Sequence, residues 1–245
     1  MGTVALTVES QRSATLTVSE IFGPTVQGEG PSAGRRCAFV RLGRCDLTCA
    51  WCDTPYTWDW RGVNGRRFDP ADELEDRPIA HILELVDRMA VDRVVITGGE
   101  PLLQRRSLTK LVEELQQQGR SVEIETNGRH RPLSIDGVQY NVSPKLASSG
   151  VDASVRLRAD SLDQLAAEPN SIFKFVCSAP ADLEEVAAIV ERHAIAPDRV
   201  WISPLGTTPS AIEASLRSVA DDVVERGWNL SSRLHVLAWG DARGR

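Results

Sequence analysis

Short apolar runs rich in β-branched residues recur along the chain at Cys37–Leu42, Val94–Thr97, Val122–Glu125, Tyr140–Val142, Ile172–Val176 and Val200–Ile202. Their length and composition predict strands buried in a sheet. Between several of them the apolar period changes. Ile79, Ile82, Leu83 and Val86 stand at i, i+3, i+4 and i+7, and so do Leu108, Leu111, Val112 and Leu115. Leu183, Val186, Ala187 and Val190 repeat that spacing, and Ile212, Leu216, Val219 and Val223 form a last stripe. Each predicts a helix with one apolar face. Strands alternating with helices imply an α/β fold with a parallel sheet and right-handed crossovers. About six core strands, rather than eight, point to a partial (β/α)6 barrel of the TIM type.

Polar residues and glycines gather where those runs end. Arg41 and Gly43 close the first, Gly98-Gly99-Glu100-Pro101 the second and Thr126-Asn127-Gly128 the third. Ser143-Pro144-Lys145 closes the fourth and Ser203-Pro204-Leu205-Gly206 the last. In barrels and open sheets alike, the C-terminal strand ends form the active-site face. No linker, low-complexity segment or repeat divides the sequence, so a single domain over residues 1–245 is expected, with 1–18 as a poorly structured or accessory extension.

Composition sets limits. The chain has 245 residues, 42% hydrophobic and 25% charged, which suits a globular protein with a sizeable core. A net charge of −6 argues against an extended surface for nucleic acid. No run of about 18 apolar residues predicts a membrane span. Met1 to Glu20 lacks a basic start and a compact apolar stretch, so it does not read as a signal peptide. Free cysteines without an export signal then suggest the cytoplasm.

The densest chemistry lies in Cys45-Asp46-Leu47-Thr48-Cys49-Ala50-Trp51-Cys52. This C-x3-C-x2-C spacing lets one loop wrap a compact metal cluster. Three thiolates on a 4Fe–4S cluster would leave one iron open for a ligand. A structural zinc site would need a fourth ligand, and the nearest histidines, His81 and His130, are distant in sequence. Five cysteines, mostly in one loop, make poor disulfide partners.

With Trp51 before the last cysteine, the loop resembles that of the radical S-adenosylmethionine (SAM) enzymes, whose open iron is chelated by SAM. Gly98-Gly99-Glu100-Pro101 alone would be an ordinary strand-to-helix turn, its glycines allowing close approach to the backbone. One strand after the cysteines, it is similar to the motif that binds the SAM amino group. The segment Glu20-Ile21-Phe22-Gly23-Pro24-Thr25-Val26-Gln27-Gly28-Glu29-Gly30 narrows the resemblance. With Phe39-Val40-Arg41-Leu42, Cys52-Asp53-Thr54 and Tyr56-Thr57-Trp58-Asp59, it resembles the 7-carboxy-7-deazaguanine synthases from Glu20 to the Trp239-Gly240 tail.

That resemblance implies a carbon–nitrogen lyase acting on 6-carboxy-5,6,7,8-tetrahydropterin with loss of ammonia, SAM being regenerated and Mg2+ assisting. Cys45, Cys49 and Cys52 would ligate the cluster and Thr54 the magnesium, with Asp53 a lesser candidate for that ion. Trp51, Asp53, Gly99, Glu100, Ser143, Pro144, Lys145 and Ser203 would contact SAM. Val26, Gln27, Gly28, Arg41, Thr97 and a terminal carboxylate at Arg245 would contact substrate, Arg41 clamping its carboxylate through a planar fork. A flavodoxin- or ferredoxin-like electron donor and a homodimer are implied as well. Cys37 and Cys177 read as core residues, Cys37 being the reserve if a fourth thiolate were needed. Trp58 and Trp60 read as packing. Two other readings stand beside this one, a radical SAM activase acting on a partner protein and a non-catalytic metal-binding module.

Overall fold

The computed structural model describes residues 14–245. Nine strands form one open sheet, β1 (Thr15–Val26), β2 (Arg36–Leu42), β3 (Glu75–Pro78), β4 (Arg93–Gly98), β5 (Ser121–Thr126), β6 (Gln139–Val142), β7 (Ser171–Cys177), β8 (Val200–Pro204) and β9 (Asn229–Leu230). Their order is β3-β1-β2-β4-β5-β6-β7-β8-β9. From β2 to β9 neighbours pair parallel, whereas β1 pairs antiparallel with β2 and with β3. The α/β partial barrel is as expected, and every one of the six apolar runs lies within a strand.

Helices α1 (Pro70–Glu73), α2 (Ile79–Met89), α3 (Arg105–Gln117), α4 (Ala153–Arg156), α5 (Ala159–Ala167), α6 (Pro180–Arg192), α7 (Pro209–Glu225) and α8 (Leu234–Trp239) complete the chain. The four apolar stripes fall on α2, α3, α6 and α7. They bury Ile82 and Val86, Leu108, Leu111, Val112 and Leu115, Leu183 and Val186, and Val219 and Val223 against the sheet.

Register explains how the sheet builds both a core and a site. Val40 pairs with Ile96, Ile96 with Ile124 and Ile124 with Tyr140, all buried in the main core. Burying each such aliphatic side chain stabilises the fold by about 1.5–3 kcal/mol. Successive strand residues face opposite ways, so the next positions turn inward, where Arg41 pairs with Thr97 and Glu125 with Asn141.

The expected boundary of the N-terminal extension is corrected. Residues 1–13 of it lie outside the described residues, but Thr15–Val18 belong to β1 and pair with Glu75–Pro78. Leu16 and Val18 are buried while Thr15 and Thr17 alternate with them, a strand with one face in the core.

Candidate active site

The strand ends surround a cavity of about 230 Å³. At one end the loop after β2 brings Cys45, Cys49 and Cys52 into its lining. That loop is held by backbone and side chain together. Arg44 N donates to Thr57 O at 2.7 Å, Ala50 N to Ser149 O at 2.9 Å, and Asn64 Nδ2 to Cys49 O at 3.0 Å. Asp46 accepts from Asn127 Nδ2 at 2.8 Å, lies 2.8 Å from His130 Nε2 and pairs with Arg129. The loop is therefore fastened to the end of β5 independently of any metal.

Burial pushes the Cys45 thiol up to about 12 and raises Cys49 as well. Without metal these groups are protonated at neutral pH, so iron must displace the protons. No three His, Cys, Asp or Glu side chains among the described residues converge on a single metal ion. A cubane offers a different iron to each thiolate, so three separated thiols on one cavity suit it. Cys37 is buried with Phe39 and Val95 and does not line the cavity. Its thiol is pushed up to about 12 by burial.

Trp58 was expected only to pack. It is buried, but its Nε1 donates to Cys52 Sγ at 3.3 Å. Hydrogen bonds to ligand sulfur favour the more negative, reduced cluster. Trp58→Phe is therefore expected to keep the cluster but lower its midpoint potential, read by redox titration with electron paramagnetic resonance. An unchanged potential would show that the bond is lost when iron binds.

At the other end the lining is polar and charged. Arg41 donates from Nε to Glu20 Oε1 at 2.7 Å, where Tyr56 also donates at 3.0 Å. Neither terminal nitrogen of Arg41 has a protein partner among the described residues. Glu125 accepts from Thr97 Oγ1 at 2.7 Å and from Gln27 Nε2 at 3.2 Å. Glu29 pairs with Lys174 and, at 3.0 Å, with Arg233 Nε. Arg233 also pairs with Asp53 and donates to Gly206 O at 2.6 Å. Burial keeps His235 below its ordinary value and so neutral at pH 7.

Burial alone would raise the Glu29 carboxyl, but Lys174 and Arg233 hold it well below the usual carboxylate range. Burial would lower Lys174, yet Glu29 outweighs it and raises the ammonium to about 12. The signs give a pH window. A depressed carboxylate contributes stability above its unfolded value of 4.5, and that contribution is lost as pH falls toward the folded value. The Lys174 contribution is present below 10.5 and lost as pH rises through about 12. Below pH 4.5, Glu29→Gln should flatten the acid slope of stability by about 1.4 kcal/mol per pH unit, one proton's worth. Urea unfolding of metal-free protein at successive pH values measures it; parallel slopes for variant and wild type would refute it.

Most of the expected residues meet at this cavity. Val26, Gln27, Gly28, Arg41, Thr97 and Arg245 line it, as do Trp51, Asp53, Thr54, Gly99, Ser143 and Lys145. Three expected SAM contacts do not. Glu100 is fully buried behind the wall, accepting from Leu102 N at 2.9 Å, Asn127 N at 2.7 Å and Thr126 Oγ1 at 2.9 Å. Its carboxylate clamps the turn after β5 instead of facing the cavity. Pro144 stands between Ser143 and Lys145 but outside the lining. Ser203 is buried on β8 with its hydroxyl unpaired among the described residues.

Both Asp53 and Thr54 line the cavity, but Asp53 is tied to Arg233, while Thr54 Oγ1 lies 3.7 Å from Cys52 Sγ. Thr54 is thus the freer oxygen for a hard cation. Glu29, Glu125, Lys174 and Arg233 were not expected at the site. Inward-facing charges on apolar strands, as at Glu125 and Lys174, were the available signal.

Residues 40–192 match the model of the Radical SAM superfamily. A 7-carboxy-7-deazaguanine synthase of Pyrobaculum aerophilum is 38% identical over 93% of this chain and 96% of its own length. That of Hyperthermus butylicus is 35% identical over 93% of this chain and 94% of its own. The crystal structure of QueE from Escherichia coli superposes with a TM-score of 0.66 at 25% identity, covering 90% of this chain and 95% of that one. A three-thiol loop at the strand ends of an open α/β barrel and similarity along nearly the whole length lead to one conclusion: the chain belongs to the 7-carboxy-7-deazaguanine synthase family of radical SAM lyases.

Proposed function

We propose that this chain converts 6-carboxy-5,6,7,8-tetrahydropterin to 7-carboxy-7-deazaguanine with loss of ammonia. The observation that carries the reading is the division of one cavity into a thiol end and a polar end. Cys45, Cys49 and Cys52 would hold a 4Fe–4S cluster, with Trp51, Asp53, Gly99, Ser143 and Lys145 around bound SAM. Together, cluster and SAM supply a carbon-centred radical able to take a hydrogen from the substrate.

The chain's own residues then bind and orient. Arg41, with Nε fixed by Glu20, has two N–H-bearing nitrogens free for the substrate carboxylate. Glu125 faces the cavity, forms no ion pair among the described residues and receives the N–H-rich edge of a pterin. Gln27 and Thr97 fix that carboxylate by donating to it. Thr54 is the proposed hydroxyl ligand of Mg2+. A flavodoxin- or ferredoxin-like electron donor, a homodimer and a cytoplasmic location are proposed on family resemblance. Among the described residues no helix is long and apolar enough to cross a membrane.

The test is an anaerobic assay of reconstituted, reduced protein with SAM, Mg2+ and the pterin, read by mass spectrometry. The expected result is 7-carboxy-7-deazaguanine without matching consumption of SAM. Cleavage of SAM with the pterin untouched would overturn the substrate assignment.

A further inference from the structure

We propose that Arg233 is a positioning residue that couples the substrate end of the cavity to its SAM end, an inference that rests on the pterin reading above. Arg233 opens α8 and is nine-tenths buried. Its nitrogens reach three segments that are remote in sequence. Nε reaches Glu29 after β1, one terminal nitrogen reaches Gly206 O after β8, and the other reaches Asp53. Asp53 directly follows the cluster-loop Cys52, and among the described residues Arg233 is its one side-chain partner.

Stability alone does not account for this arrangement. A buried ion pair contributes little net stability over well-packed apolar residues of similar volume. What a planar guanidinium adds is fixed geometry among its acceptors. Its own base is fixed as well. Leu234 N donates to Gly28 O at 2.9 Å, and a Cβ on Gly28 would lie 2.0 Å from His235 Nδ1. The first turn of α8 is therefore seated on the Gln27-Gly28-Glu29 turn, so the arginine has a rigid footing. Gln27 in turn reaches Glu125. A displacement of Asp53 by SAM is thus transmitted through one guanidinium to Glu29 and the residues that face the pterin.

The experiment measures pterin affinity by calorimetry in unreduced, cluster-loaded protein, with and without SAM. In wild type, SAM is expected to change pterin affinity by about fivefold or more, the usual scale of coupling between sites. In Arg233→Met that factor should fall to near one, with iron content unchanged. Arg233→Lys, which retains a charge for Glu29 but lacks the fork, should fall between. Asp53→Asn cuts the same arm at a carboxylate side chain that is 42% exposed, so it leaves the fold intact and serves if Arg233→Met does not fold. It too should bring the factor toward one.

A purely structural arginine would lower thermal stability in the variants and leave the coupling factor at its wild-type value, which would overturn the proposal. So would wild-type pterin binding that is indifferent to SAM. Wild-type protein that binds no pterin would instead overturn the substrate reading.

Discussion

Cys49→Ser is expected to abolish SAM cleavage and product formation while leaving a folded chain. Cys49 is buried at the thiol end of the cavity, and its backbone does the local structural work. Its carbonyl accepts from Asn64 Nδ2 at 3.0 Å and from Cys52 N at 3.2 Å. Serine keeps both bonds. The change falls on the ligand alone, because a hydroxyl gives up its proton far less readily than a thiol and is a poor partner for iron. With two thiolates left, iron should drop from about four per chain to background, and the cluster absorbance with it. The melting temperature of the metal-free variant should match that of metal-free wild type, since the loop remains held by Asp46, Arg129 and Ala50.

Cys37→Ser supplies the contrast. Cys37 sits in a separate buried group with Phe39 and Val95. Its replacement should destabilise the core modestly and leave iron content unchanged. Intact absorbance and full turnover in Cys49→Ser, or loss of iron in Cys37→Ser, would refute the ligand assignment.

The contrast between those two cysteines shows what a sequence discloses. Spacing alone set Cys45, Cys49 and Cys52 apart from Cys37, because three thiols within eight residues can share one ligand without knowledge of the fold. Six of the seven parallel strands were legible for a similar reason. Runs such as Val94–Thr97 are apolar where they face the helices, and their polar residues collect at one end.

The strands that escaped notice lack such a signal. Glu75–Pro78 has three charged residues before its proline and is a strand because β1 offers it partners at the sheet edge. Asn229–Leu230 is two residues long. In β1, buried and half-buried residues alternate only as far as Val18, and the periodicity then fades. Here tertiary pairing decides, and local pattern is silent.

The site was legible in the same proportion. Arg41, Thr97 and Ser143 stand at strand ends, where function concentrates in this architecture. Arg233 and His235 come from a short helix near the chain's end whose place on the Gln27-Gly28-Glu29 turn no local pattern encodes. Glu100 shows the limit of a motif. A motif fixes a residue's neighbourhood, but whether a carboxylate faces ligand or clamps backbone depends on donors elsewhere in sequence, here Thr126 and Asn127.

Gly98→Ala is expected to destabilise the protein by about 4 kcal/mol or more, the largest effect on folding of any single methyl group at this site. Gly98 ends β4 with φ of +137°, a backbone conformation that L side chains rarely adopt. That conformation alone costs a residue with a Cβ about 1–3 kcal/mol. The added carbon would also stand 2.0 Å from Leu42 O and 2.5 Å from Leu42 N. Both are backbone atoms of the neighbouring strand, so no rotamer change relieves the contact.

Relief requires β2 and β4 to separate where Gly99 N donates to Leu42 O at 3.0 Å and Glu100 N to Arg44 O at 2.8 Å. Those bonds place the cysteine loop over the cavity. The damage should therefore reach chemistry before it reaches global unfolding, with iron incorporation reduced in whatever fraction remains folded. Urea unfolding gives the stability loss and iron assay of the soluble fraction gives the second effect. Gly119→Ala is the control, because its φ of +79° is also left-handed but no atom of the described residues lies within 4 Å of the new carbon. It should cost about 1 kcal/mol, the backbone penalty without the clash. Equal losses in the two variants would show that φ, and not the approach of β2, makes glycine necessary at position 98.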